Sequence, residues 1–211
     1  MQVERPEVHL PEAEAVRLNA AYSEARVILE YGSGGSTVLA AEMPGKFILS
    51  VESDRDWALR LQYYLDEADT ASPATVYPVD IGETGDWGRP KDHSGWTRYH
   101  EYALSIWDEP FFRHPDVILI DGRFRPACLM TALARIERPV TVLFDDYVER
   151  TRYHVVEEVV KPAQIIGRMA EFRLEPDQLP KTSVTKLISS FAQVSLARED
   201  AASFPAPEDG A

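Results

Sequence analysis

Four short runs constrain this chain more than anything else in it: VILEY at 27–31, KFILSVE at 46–52, DVILIDG at 116–122 and VTVLFDD at 140–146. Each is apolar almost without interruption instead of alternating, and each closes on polar or acidic residues. A strand can be apolar on both faces only where both faces are covered, as in a parallel sheet held between helices. Helical stretches separate the runs. Residues 11–25 carry Ala15, Leu18 and Tyr22 at helical spacing, and residues 36–41 form a second helix closed by Pro44 and Gly45. Behind Asp54, a good cap, Trp57, Leu61, Tyr64 and Leu65 repeat at three and four. ATVYPVDI at 74–81 is a third strand, and further helices are expected over 100–112, 126–136 and 148–160.

This alternation predicts an α/β fold with a mostly parallel sheet flanked by helices. Segments 164–176 and 183–197 read as two β segments joined by a turn containing Pro and Asp, an antiparallel pair at the sheet edge. A length of 211 residues suits one domain, 1–211, with 1–10 and 198–211 expected to fray. The segment 82–99 is too rich in Gly, Pro and mixed charge for a long regular element, and its length suits a binding loop.

Charge and composition narrow the partners. With 22 Lys+Arg against 35 Asp+Glu the formal charge is -13, which repels polyanions, so neither nucleic acid nor an anionic membrane surface is expected as a partner. Cys128 is the only cysteine, so no internal disulfide can form, and a cytoplasmic location is the default expectation. There is no signal-peptide pattern and no apolar run of the roughly 18 residues that a membrane span needs. The oligomeric state is left open, a homodimer included.

In a parallel sheet ligands bind beyond the carboxyl ends of the strands, which puts weight on YGSGGST at 31–37. Glycines there allow positive φ and let a ligand reach backbone N–H groups. The turn has no lysine of a GxxxxGK loop, and Thr37 stands where a dinucleotide fingerprint needs its third glycine. Glu30 lies just upstream, and a carboxylate there favours a cation and opposes a diphosphate.

The run EYGSGGS resembles the first motif of the class I S-adenosylmethionine-dependent methyltransferases, an acid followed by GxGxG, with Ser36 in the last glycine's place. The resemblance covers roughly residues 26–146 by motif order. It implies a Rossmann-like class I methyltransferase fold with S-adenosylmethionine as cofactor. Glu30, Gly32, Ser33, Gly34 and Ser36 would surround the cofactor, Glu52 and Ser53 would meet its ribose, Asp80 and Ile81 its adenine, and Asp121 would stand beside its reactive half. Each strand-end acid taken singly could equally be a helix cap or a solvated loop residue.

Asp121 in LIDGR and the pair Asp145 and Asp146 in LFDDY follow the next two strands. Converging carboxylates repel unless a cation or proton joins them, and such oxygens suit Mg²⁺ or another divalent cation. The arrangement is similar to that of the cation-dependent O-methyltransferases, which implies metal binding by these three and a small-molecule methyl acceptor. The alternative is a turn at Asp121 and a cap at Asp146. Arg123 and Arg125 could neutralise the acids without metal, or grip an anionic substrate. Asp121, Lys91 and His93 are the candidates for a catalytic base, and Trp87, Arg89, Trp96 and Arg98 accompany the last two in the long loop. A nicotinamide-dependent oxidoreductase and a catalytically silent S-adenosylmethionine-binding protein remain as rival functions.

Overall fold

The computed structural model describes residues 4–197. A seven-stranded sheet forms its centre. The elements run α1 (Glu12–Glu24), β1 (Val27–Tyr31), α2 (Gly35–Glu42), β2 (Phe47–Glu52), α3 (Arg55–Glu67) and β3 (Ala74–Pro78). A two-stranded hairpin, β4 (Thr84–Gly85) and β5 (Arg89–Pro90), interrupts the long loop. Then come α4 (Tyr99–Leu104), β6 (Val117–Ile120), α5 (Arg125–Arg135), β7 (Val140–Phe144), β8 (Gln164–Ile166), β9 (Met169–Leu174) and α6 (Val184–Ser190). The strand order is β3-β2-β1-β6-β7-β9-β8, with β1, β2, β3, β6 and β7 parallel and β9 antiparallel to both its neighbours. This is the mostly parallel, helix-flanked sheet expected of the apolar runs, in the Rossmann-like arrangement that the motif resemblance implied.

The pleat sorts the runs into two cores. Leu29, Tyr31, Leu49, Val51, Ile118, Ile120, Val142 and Phe144 pack on one face with α4 and α5. Ile28, Ile48, Val117, Leu119 and Leu143 face Leu18, Ala21 and Tyr22 of α1 on the other. All four residues of β6 are buried, which is why the sequence there shows no alternation. Asp54 caps α3 as expected, accepting from the Trp57 amide at 2.9 Å.

Two expectations need correction. The antiparallel pair lies wholly within 164–174, as a hairpin turning at Gly167 with φ 54, and 183–197 contributes no strand. Instead α6 forms, with Leu187 and Phe191 against the core at helical spacing. Val184, Thr185 and Ile188 are β-branched and suggest a strand locally, but one turn of helix already buries the available apolar pair. Residues 148–160 do not form an α-helix either; 151–158 coil as a 3-10 segment.

Of the two ends expected to fray, residues 198–211 and 1–3 lie outside the described residues. Residues 4–10 cross the start of α2, held by two Arg5–Glu42 hydrogen bonds of 3.0 and 2.9 Å. Among the described residues no helix is long and apolar enough to cross a membrane.

Candidate cofactor site

Strand β1 sits between β2 on one side and β6 on the other, so the chain leaves the sheet in opposite directions from adjacent strands and opens a crevice at their carboxyl ends. The backbone closes the bottom of that crevice tightly. The amides of Asp121 and Gly122 both donate to the Tyr31 carbonyl, at 2.9 and 2.5 Å, and Gly32 donates to Val51 O at 2.8 Å. Gly32 has φ 102, and a Cβ there would lie 2.6 Å from the Gly122 nitrogen. Both facts require glycine: the conformation is strained for an L side chain, and the facing backbone leaves no room.

Glu52 ties the turn to the second strand. Its Oε2 accepts from the Ser33 amide at 3.2 Å, and its Oε1 from the amides of Ser53 and Asp54 at 2.7 and 2.9 Å. Burial pushes this carboxyl up, and the same amides pull it back. The indole of Trp57 donates to the Ser33 carbonyl at 2.9 Å, fixing the turn from the α3 side. Ser53 donates to Gly88 O at 2.8 Å and so anchors the long loop to the same place.

These groups enclose a cavity of about 420 Å³. Gly32, Ser33, Gly34, Ser36, Glu52, Ser53 and Asp121 line it, so the structure brings these seven sequence candidates together. Residues 6–10 form one wall, because a Cβ on Gly35 would stand 2.1 Å from the Glu7 carbonyl carbon and only glycine lets that segment lie so close. Trp87 of the long loop, singled out in the sequence, also lines it, whereas Trp57, Arg60 and Tyr102 line it and were missed. Trp57 read as a core residue of its helix, and the one available signal was its place three residues after the cap, facing the turn.

Glu30, Asp80 and Ile81 do not line the cavity. Glu30 is fully buried beneath the turn, where its carboxylate accepts hydroxyls from Tyr22 at 2.6 Å and Thr37 at 2.5 Å. Thr37 in turn accepts the Gly34 amide at 3.0 Å, so Glu30 shapes the turn through one intervening side chain. Burial pushes its carboxyl above the ordinary range, against the hydrogen bonds from Thr37 and Tyr22. Asp80 is exposed and paired with Arg98, because β3 ends at Pro78 and the chain has already turned away; Ile81 is buried in the core. Lys91 pairs with Glu83 at 3.4 Å on an exposed part of the loop, and His93 is exposed; neither lines the cavity.

Asp121, Asp145 and Asp146 do converge, each offering an oxygen within 4.8 Å of the others. Three guanidiniums already occupy them. Arg168 grips Asp145 with two hydrogen bonds of 2.9 and 2.7 Å, and Arg150 reaches Asp146 at 2.6 Å. Arg125, 3% exposed, spans Asp121 at 3.0 Å and Asp146 at 3.4 Å. Three positive groups balance three negative ones, and an ion among these oxygens would have to displace arginines that are already bonded. The residues present do not fit a divalent cation. Desolvation first, then Asp145 and Asp146, push Asp121 up to about 6 against the pull of Arg125 and Arg123, although its side chain keeps 43% exposure.

The chain is similar in structure to a methyltransferase-like protein from Silicibacter pomeroyi, with 49% identity, a TM-score of 0.84, and coverage of 89% of this chain and 97% of that one. Two more distant likenesses concern the fold alone. The cofactor-bound Rv0187 from MTB is 17% identical over 84% of this chain and 85% of that one, at a TM-score of 0.53. A SAM-dependent O-methyltransferase from Thermotoga maritima is 10% identical over 82% and 68%, at 0.50. No family model and no curated protein matches the chain.

Proposed function

The chain belongs to the class I S-adenosylmethionine-dependent methyltransferase superfamily, and from that premise we propose that it methylates an oxygen of a small molecule, using S-adenosylmethionine and no metal ion. The observation that carries the reading is the cavity at the carboxyl ends of β1, β2 and β6, with Glu52 and Asp121 on its wall. Its volume suits one nucleoside-sized ligand. Oε1 of Glu52 is filled by the amides of Ser53 and Asp54, but Oε2 accepts only the Ser33 amide and keeps a lone pair for a ligand hydroxyl, and the bare backbone at Gly32 and Gly34 admits close approach. A sulfonium and an ammonium are favoured beside these carboxylates, where a pyrophosphate would be repelled. Asp121 takes over the electrostatic part that the sequence suggested for Glu30.

Bound S-adenosylmethionine supplies a methyl carbon made electrophilic by its sulfonium. The protein's own work is alignment and exclusion of water, which falls to Trp57, Trp87 and residues 6–10 in the cavity lining. Asp121 is the one sequence candidate for a base that lines the cavity, and its raised proton affinity suits it to take a hydroxyl proton near neutral pH. A small acceptor is supported by the crevice and by the charge of -13, which opposes a polyanion.

Calorimetric titration with S-adenosylmethionine, S-adenosylhomocysteine and NAD tests the cofactor. Binding of the first two without the third supports the reading, and the reverse overturns it. Transfer of a labelled methyl group to hydroxylated small molecules tests the chemistry; cofactor binding without transfer to any of a broad panel would favour the silent binder.

A further inference from the structure

Asp80 and Ile81, the residues that the motif resemblance placed at the adenine, do not line the cavity. An aromatic ring at the tip of the β4–β5 hairpin does: Trp87. The four tryptophans differ in what holds them. Trp107 is 6% exposed, and its indole N–H donates to the Tyr31 hydroxyl at 2.7 Å. Trp57 donates to the Ser33 carbonyl, with the Arg60 guanidinium 5.8 Å from its ring centroid. Trp96 is 69% exposed and lies off the cavity. Only Trp87 is both part of the cavity wall and 77% exposed.

The backbone of Trp87 is left-handed, with φ 61 and ψ 28, a strained conformation for a bulky side chain that glycine would adopt freely. Its neighbour fixes where the ring stands. Ser53 donates to Gly88 O at 2.8 Å, and a Cβ on Gly88 would lie 2.4 Å from Ser53 Oγ and 3.0 Å from Glu52 Oε1. The hairpin tip is thus pressed against the acid whose Oε2 is open to a ligand hydroxyl. The neck of the loop is fixed as well: the Lys91 amide donates to Glu83 O at 2.9 Å, and a Cβ on Gly95 would lie 1.9 Å from Ile81 O. In a nucleoside the base hangs from the ribose carbon next to the hydroxyls. A tryptophan whose Cα is about 3.8 Å from that of Gly88 is within reach of that base.

We propose that the indole of Trp87 stacks on the purine of the bound nucleoside and closes the cavity over it, turning about its side-chain torsions while the hairpin keeps its place. The ring offers a large flat face and only two torsions to be ordered. Every purine has a π-face, so the contact holds the base without reading its edge. The strained backbone then has a use, since it displays at the cavity mouth a ring that a ligand covers. That the nucleoside is the one in S-adenosylmethionine rests on the function proposed above; the stacking of a purine here does not.

S-adenosylhomocysteine, adenosine and NAD serve as probes, titrated calorimetrically into the full chain as the parent and as Trp87→Gly, Trp87→Leu and Trp87→Phe. The Gly and Leu variants should bind S-adenosylhomocysteine and adenosine more weakly by the same factor, about tenfold or more, and the Phe variant by about threefold or less. Glycine also relieves the left-handed backbone, so ligand-free Trp87→Gly should melt no lower than the parent, which separates a ring kept for a ligand from one kept for the fold. Equal losses in the Phe and Leu variants overturn the proposal. So does a loss confined to S-adenosylhomocysteine with adenosine unchanged, or an affinity unchanged in Trp87→Gly. If the parent binds NAD in a Trp87-dependent way and does not bind S-adenosylhomocysteine, the cofactor assignment falls and the stacking stands; a parent that binds none of the three overturns the stacking.

Discussion

Replacing Glu30 by Gln separates two ways in which a carboxylate near the glycine turn could favour the cofactor. The structure places it beneath the turn, where its two oxygens take the hydroxyls of Tyr22 and Thr37, and it reaches Gly34 only through Thr37. Glutamine keeps one oxygen and sets an NH₂ against the other hydroxyl. Thr37 already accepts from Gly34, so it has little freedom to turn, and its other neighbour, Ser50, lies 3.4 Å away. One buried hydroxyl left without an acceptor costs about 1–3 kcal/mol. For a chain of this size that lowers the melting temperature by roughly 3–10 °C. The decisive assay compares two ligands, because S-adenosylmethionine carries a positive sulfur and S-adenosylhomocysteine does not. If Glu30 acts by shaping the turn, both affinities fall by a similar factor. If Glu30→Gln weakens the sulfonium ligand by about tenfold or more, roughly 1.4 kcal/mol, and spares the thioether, the carboxylate acts directly by its charge and the positional reading is wrong.

Removing the partner of Asp145, which is 1% exposed, should be costly: Arg168→Met is expected to destabilise the fold by about 2–4 kcal/mol, discounted for the one-third exposure of Arg168, and Arg168→Met with Asp145→Asn should recover part of it in thermal unfolding. Asp121 binds its proton more tightly folded, near 6, than at its ordinary 3.8, so its contribution to stability is present below about pH 4 and lost as the pH rises to 6. Asp121→Asn should therefore be more stable than the parent at pH 7 by on the order of 1 kcal/mol, after discounting for solvent screening, with the gap closing toward pH 4; a gap independent of pH would contradict this. Because arginines hold all three acids, Mg²⁺ should not raise the melting temperature and a chelator should not lower methyl transfer; a Mg²⁺-dependent stabilisation lost in Asp145→Asn would restore the metal.

The apolar runs determined the sheet, and with it the fact that the loops after β1, β2 and β6 would share one edge. That much is legible because a doubly covered strand must be apolar on both sides, a property of the local residues alone. The glycine turn and Glu52 were legible for a similar reason, since backbone conformation and strand-end position are local. What each acid touches is not a local property. Glu30, Asp121 and Asp145 look alike in sequence, each an acid at the end of an apolar run, yet one is sealed under the turn, one faces the cavity and one is clamped by Arg168. Arg168 is more than twenty residues from the acid it neutralises, and Trp57 and residues 6–10 reach the cavity from other elements. Burial and charge pairing depend on neighbours brought together by the fold, so only the tertiary structure shows that arginines from distant parts of the chain reach these acids.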